Sequence, residues 1–118
     1  MGTTTETVTI NLGVSGLNGT FQISAALDSG FWGPFATLAI PEIYAHVFGL
    51  IKTGRVCNYT TANGGNMPME LYIGVVEFDG TIRPLLINVS PEVNGILVGL
   101  EFLQIFERQL AILKKNPY

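Results

Sequence analysis

Phe21-Gln22-Ile23-Ser24-Ala25-Ala26-Leu27-Asp28-Ser29-Gly30 is the stretch on which the fold turns. Phe21, Ile23, Ala25 and Leu27 recur at every second position, the period of a strand with one buried face. The strand runs into an acid, a hydroxyl and a glycine. Asp and Gly at a strand end usually mean a turn. Here, though, the acid emerges from a buried, rigid element, which can aim a carboxylate. Ser29 adds a hydroxyl, and Gly30 lets the backbone turn sharply with its N–H groups free.

Upstream, Leu17-Asn18-Gly19-Thr20 is a tight hairpin turn, because Asn-Gly tolerates the positive φ it demands. Thr7–Leu12 alternates Val8, Ile10 and Leu12 against polar residues and is the partner strand. Downstream, Ala36–Ile40 is a short apolar strand, and Pro41 opens a helix at no hydrogen-bonding cost. Ile43, Tyr44, Val47, Phe48 and Ile51 define the helix's apolar stripe. His46 lies off that stripe and reads as a surface residue, not a ligand or base.

Strands then follow over Arg55–Thr61 and Met67–Val76, joined by Ala62-Asn63-Gly64-Gly65 as a hairpin tip. Phe78-Asp79-Gly80-Thr81 is a second tight turn, leading into a strand over Ile82–Val89. Pro84 marks an edge or irregularity in it. A loop over Ser90–Asn94, a brief strand over Gly95–Val98, a short helix over Gly99–Phe106 and a last strand over Arg108–Leu113 complete the chain. Asn18-Gly19-Thr20-Phe21 and Asp79-Gly80-Thr81-Ile82 each launch an apolar strand, which hints at two related β units. The reading is mainly β, with one or two short helices, in a single domain over residues 1–118.

Composition narrows the function. The chain is 47% hydrophobic and 13% charged, apolar for a small soluble monomer, so part of its surface is expected against another subunit. Net charge is −3 and the cations are dispersed apart from Lys114-Lys115, which argues against nucleic acid as a partner. The one cysteine, Cys57, permits no intrachain disulfide. No motif joins it to His46, the only histidine, so it reads as a small packed thiol. No metal set or cofactor motif is visible. Met1–Ile10 is polar, unlike a signal peptide, and the longest apolar run, Gly95–Leu100, is too short to span a bilayer. A cytoplasmic protein without a membrane partner is expected. Asn18, Asn58 and Asn88 open Asn-x-Ser/Thr triplets that read as chance.

Asp28-Ser29-Gly30 together with the later Ile96-Leu97-Val98-Gly99 resembles the retropepsin family of aspartic proteases, with its Asp-Thr/Ser-Gly loop and apolar-apolar-Gly strand. Leu27-Asp28-Ser29-Gly30-Phe31-Trp32-Gly33 followed by Leu38-Ala39-Ile40-Pro41-Glu42 is similar to small prokaryotic members of that clan. So are Thr61-Ala62-Asn63-Gly64, like their flap hairpin, and Val98-Gly99-Leu100-Glu101-Phe102-Leu103. The match in order and spacing runs from about Val8 to Leu113. Three departures stand out. Ser29 replaces the commoner Thr, Leu100-Glu101 stands where many viral members have Arg-Asn or Arg-Asp, and Trp32 puts bulk beside the active loop.

The resemblance implies a retropepsin-like half-barrel with its active site on a homodimer two-fold axis. Asp28 would be the catalytic residue, with Ser29 and Gly30 tying the two active loops together. Ala62, Asn63, Gly64 and Gly65 would form a flap over an extended polypeptide substrate, and Phe31, Trp32, Val98 and Gly99 would line the cleft. Thr4–Ile10 and Gln109–Leu113 would pair across the dimer. The chemistry itself asks for two copies. One carboxylate must take a proton from water while a second, protonated, polarises the scissile carbonyl. Asp79, the only other aspartate, lies in a turn of different context. Two other readings stay open: an inactive member serving as a peptide-binding or dimerisation module, and an unrelated closed barrel holding a small molecule as a monomer.

Overall fold

A computed structural model describes residues 8–61 and 63–106. Seven strands and two short helices make up this region. The order is β1 (Thr9–Gly16), β2 (Gly19–Leu27), β3 (Leu38–Pro41), α1 (Glu42–Phe48), β4 (Ile51–Thr60), β5 (Asn66–Phe78), β6 (Thr81–Ser90) and β7 (Leu97–Val98). A helix α2 follows over 100–106. The last strand expected over Arg108–Leu113, and most of the expected terminal pairing, lie outside the described residues.

Hydrogen bonding runs in the order β1-β2-β7-β3-β6-β5-β4, and β1 also pairs with β5. Six strands therefore close on themselves as a barrel within one chain, and β4 is added outside the ring on β5. Among the described residues, closure leaves β4 paired on one side only.

The barrel is two interlocked copies of one unit. Hairpin β1–β2 leads through the Asp28 loop to β3 and α1. Hairpin β5–β6 leads through a loop to β7 and α2. Each unit lends its third strand to the other. β7 lies parallel to β2 with Leu27 opposite Val98, and β3 lies parallel to β6 with Ile40 opposite Val89. The two borrowed strands then meet, antiparallel, with Leu38 opposite Val98. The repeat of turn and apolar strand visible in the sequence is this duplication.

The Asp79-Gly80 turn forms where expected, while the first turn sits one residue earlier than expected, at Leu17-Asn18 rather than Asn18-Gly19. Gly16 and Gly19 close the first hairpin. Asp79 and Gly80 have φ of 51° and 79°, both in the left-handed region a two-residue turn of this hand requires. Pro84 falls on the part of β6 that β3 does not reach, because β3 pairs only with Ile87–Ser90. The missing N–H is tolerated at such an edge. Strand ends moved more. β1 continues to Gly16, and β4 starts at Ile51 rather than Arg55. It passes an irregularity between Lys52 and Arg55 where Gly54 takes a φ of 82°. The Thr53 hydroxyl fills that gap, donating to the Leu71 carbonyl at 2.6 Å and accepting from the Arg55 amide at 3.1 Å.

The apolar stripe expected on α1 is overturned. The helix ends at Phe48, with Gly49 in the left-handed cap conformation, and Ile51 belongs to β4. Ala45 and Phe48 face the barrel, while Ile43, Tyr44 and Val47 are exposed. A helix of two turns touches the sheet along one row only. Phe48 wins that row by stacking on Phe21 at 4.7 Å between ring centroids. The cap is also held from outside, since the Asn18 side chain donates to the carbonyls of His46 and Val47. His46 is a surface residue as expected, one turn from Glu42 at 3.9 Å.

The main core fills the barrel with Leu12, Val14, Leu38, Ile40, Ile87 and Val98, closed by Phe102 and Phe106 of α2. Phe78, Phe102 and Phe106 pack ring against ring at 4.6 to 5.6 Å. A second, smaller cluster joins Phe31, Ala36, Ala39, Met69 and Val93, with Tyr59, Met67 and Leu97 packed on it. This second cluster joins the Asp28 loop to the arms of the β4–β5 hairpin. No helix among the described residues is long and apolar enough to cross a membrane.

Candidate active site

Leu27 ends β2, and the next residue leaves the sheet with its backbone still tied to it. The Asp28 amide donates to the Val98 carbonyl at 2.9 Å, continuing the β2–β7 pairing by one residue. The Asp28 carbonyl accepts from the Phe31 amide at 3.1 Å, which closes the turn. The side chain turns back on the same loop, its Oδ1 accepting the Gly30 amide at 2.9 Å. Asp28 is thus half-buried on a constrained loop, and Ser29 and Gly30 are exposed beside it. An anion held by backbone N–H is fixed in direction as well as in place.

Gly99 explains the apolar-apolar-Gly pattern. A Cβ built there would lie 2.2 Å from the Ala36 carbonyl oxygen and 2.7 Å from the Phe31 ring. The two loops touch through backbone, so only glycine fits. Gly99 donates to the Thr37 carbonyl at 2.8 Å and Leu100 to that of Phe31 at 3.2 Å. Thr37, buried, in turn donates to the Leu86 carbonyl at 2.6 Å.

Beside Asp28 opens a cavity of about 690 Å³. Its apolar wall comes from Phe31, Trp32, Tyr59, Met67, Met69, Val93 and Leu97. Its polar groups include Asp28, Asn58, Glu92 and Asn94, and Cys57 also borders it. Two sources meet here, the Asp28 loop and the arms of the β4–β5 hairpin.

The expected site residues divide into three sets. Asp28, Gly30, Phe31 and Trp32 come together on the cavity. Trp32 is 70% exposed, so its ring stands at the cavity without filling it. Val98 and Gly99 do not line the cleft. Val98 is fully buried in the barrel core, and Gly99 is packed behind the Asp28 loop, so both act from beneath. Asn63, Gly64 and Gly65 form the exposed hairpin turn, closed by Thr61 N–H to Gly65 O at 2.8 Å and by the Thr61 hydroxyl donating to Asn63 Oδ1 at 2.7 Å. It is the hairpin's arms, from Cys57 to Thr61 and at Met67 and Met69, that line the cavity. Ala62 lies outside the described residues.

Sequence reading missed Tyr59, Asn88, Glu92 and the methionines. Asn88 is fully buried and spends its amide completely. Nδ2 donates to the carbonyls of Phe35 and Leu38 at 2.8 and 2.9 Å, and Oδ1 accepts the Tyr59 hydroxyl at 2.7 Å. That burial excludes Asn88 as a glycosylation acceptor in the folded chain. Burial, helped by the neighbouring Cys57, pushes the Tyr59 hydroxyl well above its ordinary pKa, so it stays a donor. A lone Asn between Ile87 and Val89 in a buried strand was the available signal, because a buried amide needs partners. No group of three or more His, Cys, Asp or Glu able to hold a metal occurs among the described residues.

No family model matches the sequence, and no curated protein matches it. Solved structures do. The EIAV protease, solved with an inhibitor, superposes with a TM-score of 0.63 at 13% identity, covering 86% of this chain and 89% of that one. The Simian foamy virus (mac) protease, solved in solution, gives a TM-score of 0.54 at 15% identity, covering 86% and 97%. Identities this low speak to the fold alone. With its closed six-strand barrel and two short helices, the chain has the retropepsin-like protease fold.

Proposed function

We propose that this chain is one subunit of a homodimeric aspartic endopeptidase in which each subunit supplies Asp28. The observation that carries the proposal is the Asp28 carboxylate itself. It stands at the end of a core strand, aimed by the Val98 carbonyl and the Gly30 amide, beside an apolar cavity. The two viral neighbours described above are proteases by name, which supports the reading at the level of fold. The Leu38-Ala39-Ile40-Pro41-Glu42 stretch further supports kinship with small prokaryotic members of the clan. Residues 1–118 are taken as one such domain.

One carboxylate can draw a proton from water, but amide hydrolysis also needs an acid at the carbonyl oxygen. Two carboxyls sharing one proton supply both roles, because two like charges in one site cannot both ionise cheaply. Asp79 sits in the β5–β6 turn and Glu92 lies outside any such motif, so in this reading the partner carboxyl is Asp28 of a second copy on a two-fold axis. Ser29 and Gly30 are exposed beside Asp28, which supports a contact with that copy through this loop. Substrate would lie extended in the cleft, gripped by its backbone under the Asn63-Gly64-Gly65 turn, with apolar side chains in the cavity.

The test is cleavage of an unstructured polypeptide across acid and neutral pH by wild type and Asp28→Asn, with sizing of both. Cutting by the wild type alone, with both dimeric, is the expected result. Dimers that never cut would leave a peptide-binding module of the same fold. A monomer, or a mutant that cuts as well as wild type, would end the proposal.

A further inference from the structure

Tyr59 belongs to β4, the arm of the hairpin farthest from the barrel, and yet it reaches two places in the interior. Its ring packs edge-on against Phe31 at 5.0 Å between centroids, three residues after Asp28. Its hydroxyl donates to Asn88 Oδ1 at 2.7 Å. Asn88 is bound to the backbone on either side of Thr37 through the Phe35 and Leu38 carbonyls, and Thr37 O holds Gly99. One side chain thereby joins the hairpin arm to the frame that fixes the Asp28 loop. The ladder to β5 also restrains β4, but it resists hinging of the whole hairpin poorly, because among the described residues no strand pairs with the outer edge of β4.

We infer that the Tyr59 hydroxyl and Asn88 form a latch that sets the height of the β4–β5 hairpin over the cavity, making Tyr59 a positioning residue for substrate binding. The acceptor is fully buried, so removing the hydroxyl leaves Asn88 Oδ1 without the Tyr59 donor. The hairpin then gains freedom to lift while the barrel stays intact. The inference rests on the peptidase reading for its kinetic consequence, but not for its structural one.

Two variants separate the parts. Tyr59→Phe removes only the hydroxyl, and Tyr59→Leu also removes the ring contact with Phe31. Amide hydrogen exchange is followed in the wild type and both variants, comparing residues 55–69 with the β1–β2 hairpin, and KM and kcat are measured on one peptide substrate. The expected result for Tyr59→Phe is faster exchange confined to the 55–69 hairpin and a KM raised roughly fivefold, the worth of one hydrogen bond, with kcat little changed. A purely structural role would lower the active fraction and speed exchange everywhere, leaving KM alone, and that outcome overturns the latch. So does a silent Tyr59→Phe beside a loosened Tyr59→Leu, which would assign the restraint to the ring. If the wild type cuts no peptide, the peptidase reading fails by itself, and the exchange pattern still decides for or against the latch.

Discussion

The amide of Asp28 donates to the carbonyl of Val98 at 2.9 Å, so the acid and the apolar-apolar-Gly strand are adjacent rungs of one sheet. Two motifs far apart in the chain are a single structural object. The strand on which Val98 sits aims Asp28, and the glycine after it lets the Asp28 loop pack down.

Gly99→Ala should therefore damage the site through the fold. The added methyl meets the Ala36 carbonyl and the Phe31 backbone, neither of which can rotate away. A stability loss at or above the upper end of about 1–3 kcal/mol is expected from overpacking of this kind. Urea unfolding measures it, and Asp28→Asn in the same assay should show no comparable loss.

Asp28→Asn should lower cleavage roughly a hundred- to ten-thousandfold, the usual worth of a positioned acid or base. Glu92→Gln is its control, since Glu92 is the other carboxylate on the cavity. If the acid pair forms across a dimer, Glu92→Gln keeps activity far above that of Asp28→Asn. Equal losses in the two variants would point to a pair within one subunit instead.

Phe102→Ala should unfold the barrel most readily. Phe102 is fully buried and touches both Phe78 and Phe106. Deleting a buried aromatic side chain costs about 3–5 kcal/mol, and thermal or denaturant unfolding would read it. A loss below about 1 kcal/mol would mean that α2 is not a true wall of the core.

Tyr59 should make stability fall on the alkaline side. Its folded pKa lies above the ordinary value of 10.0, chiefly through burial. The unfolded chain therefore releases this proton first as pH rises. The contribution is complete below about pH 10 and declines above it, as the unfolded tyrosinate is favoured. In Tyr59→Phe this component is absent, so melting temperatures compared between pH 8 and 11 should converge on the wild type's as pH increases. Parallel curves would show that the Tyr59 proton is not linked to folding.

Much of the scaffold was legible locally. Asp79-Gly80 turns where it stands because its own backbone allows it, and Phe21 to Leu27 alternates because one face of β2 is turned to the core. The first turn moved to Leu17-Asn18, where both amides bond the end of α1. The duplication could be glimpsed because each unit repeats its own turn and strand. The helix stripe failed for the opposite reason. Ile43, Tyr44 and Val47 have a helical period, but period does not say which row meets the sheet. The length of α1 and the position of Phe21 decided that.

By itself the sequence determined the mainly β character, the two tight turns and the acid loop at the end of a core strand, since each depends on residues within a few positions. Only the tertiary structure decided that β7 inserts beside β2, that Val98 supports Asp28 from the core instead of lining the cleft, and that Tyr59 finds Asn88. Those relationships join segments far apart in the chain, and they follow from the closure of the barrel and the burial of groups that must then find partners.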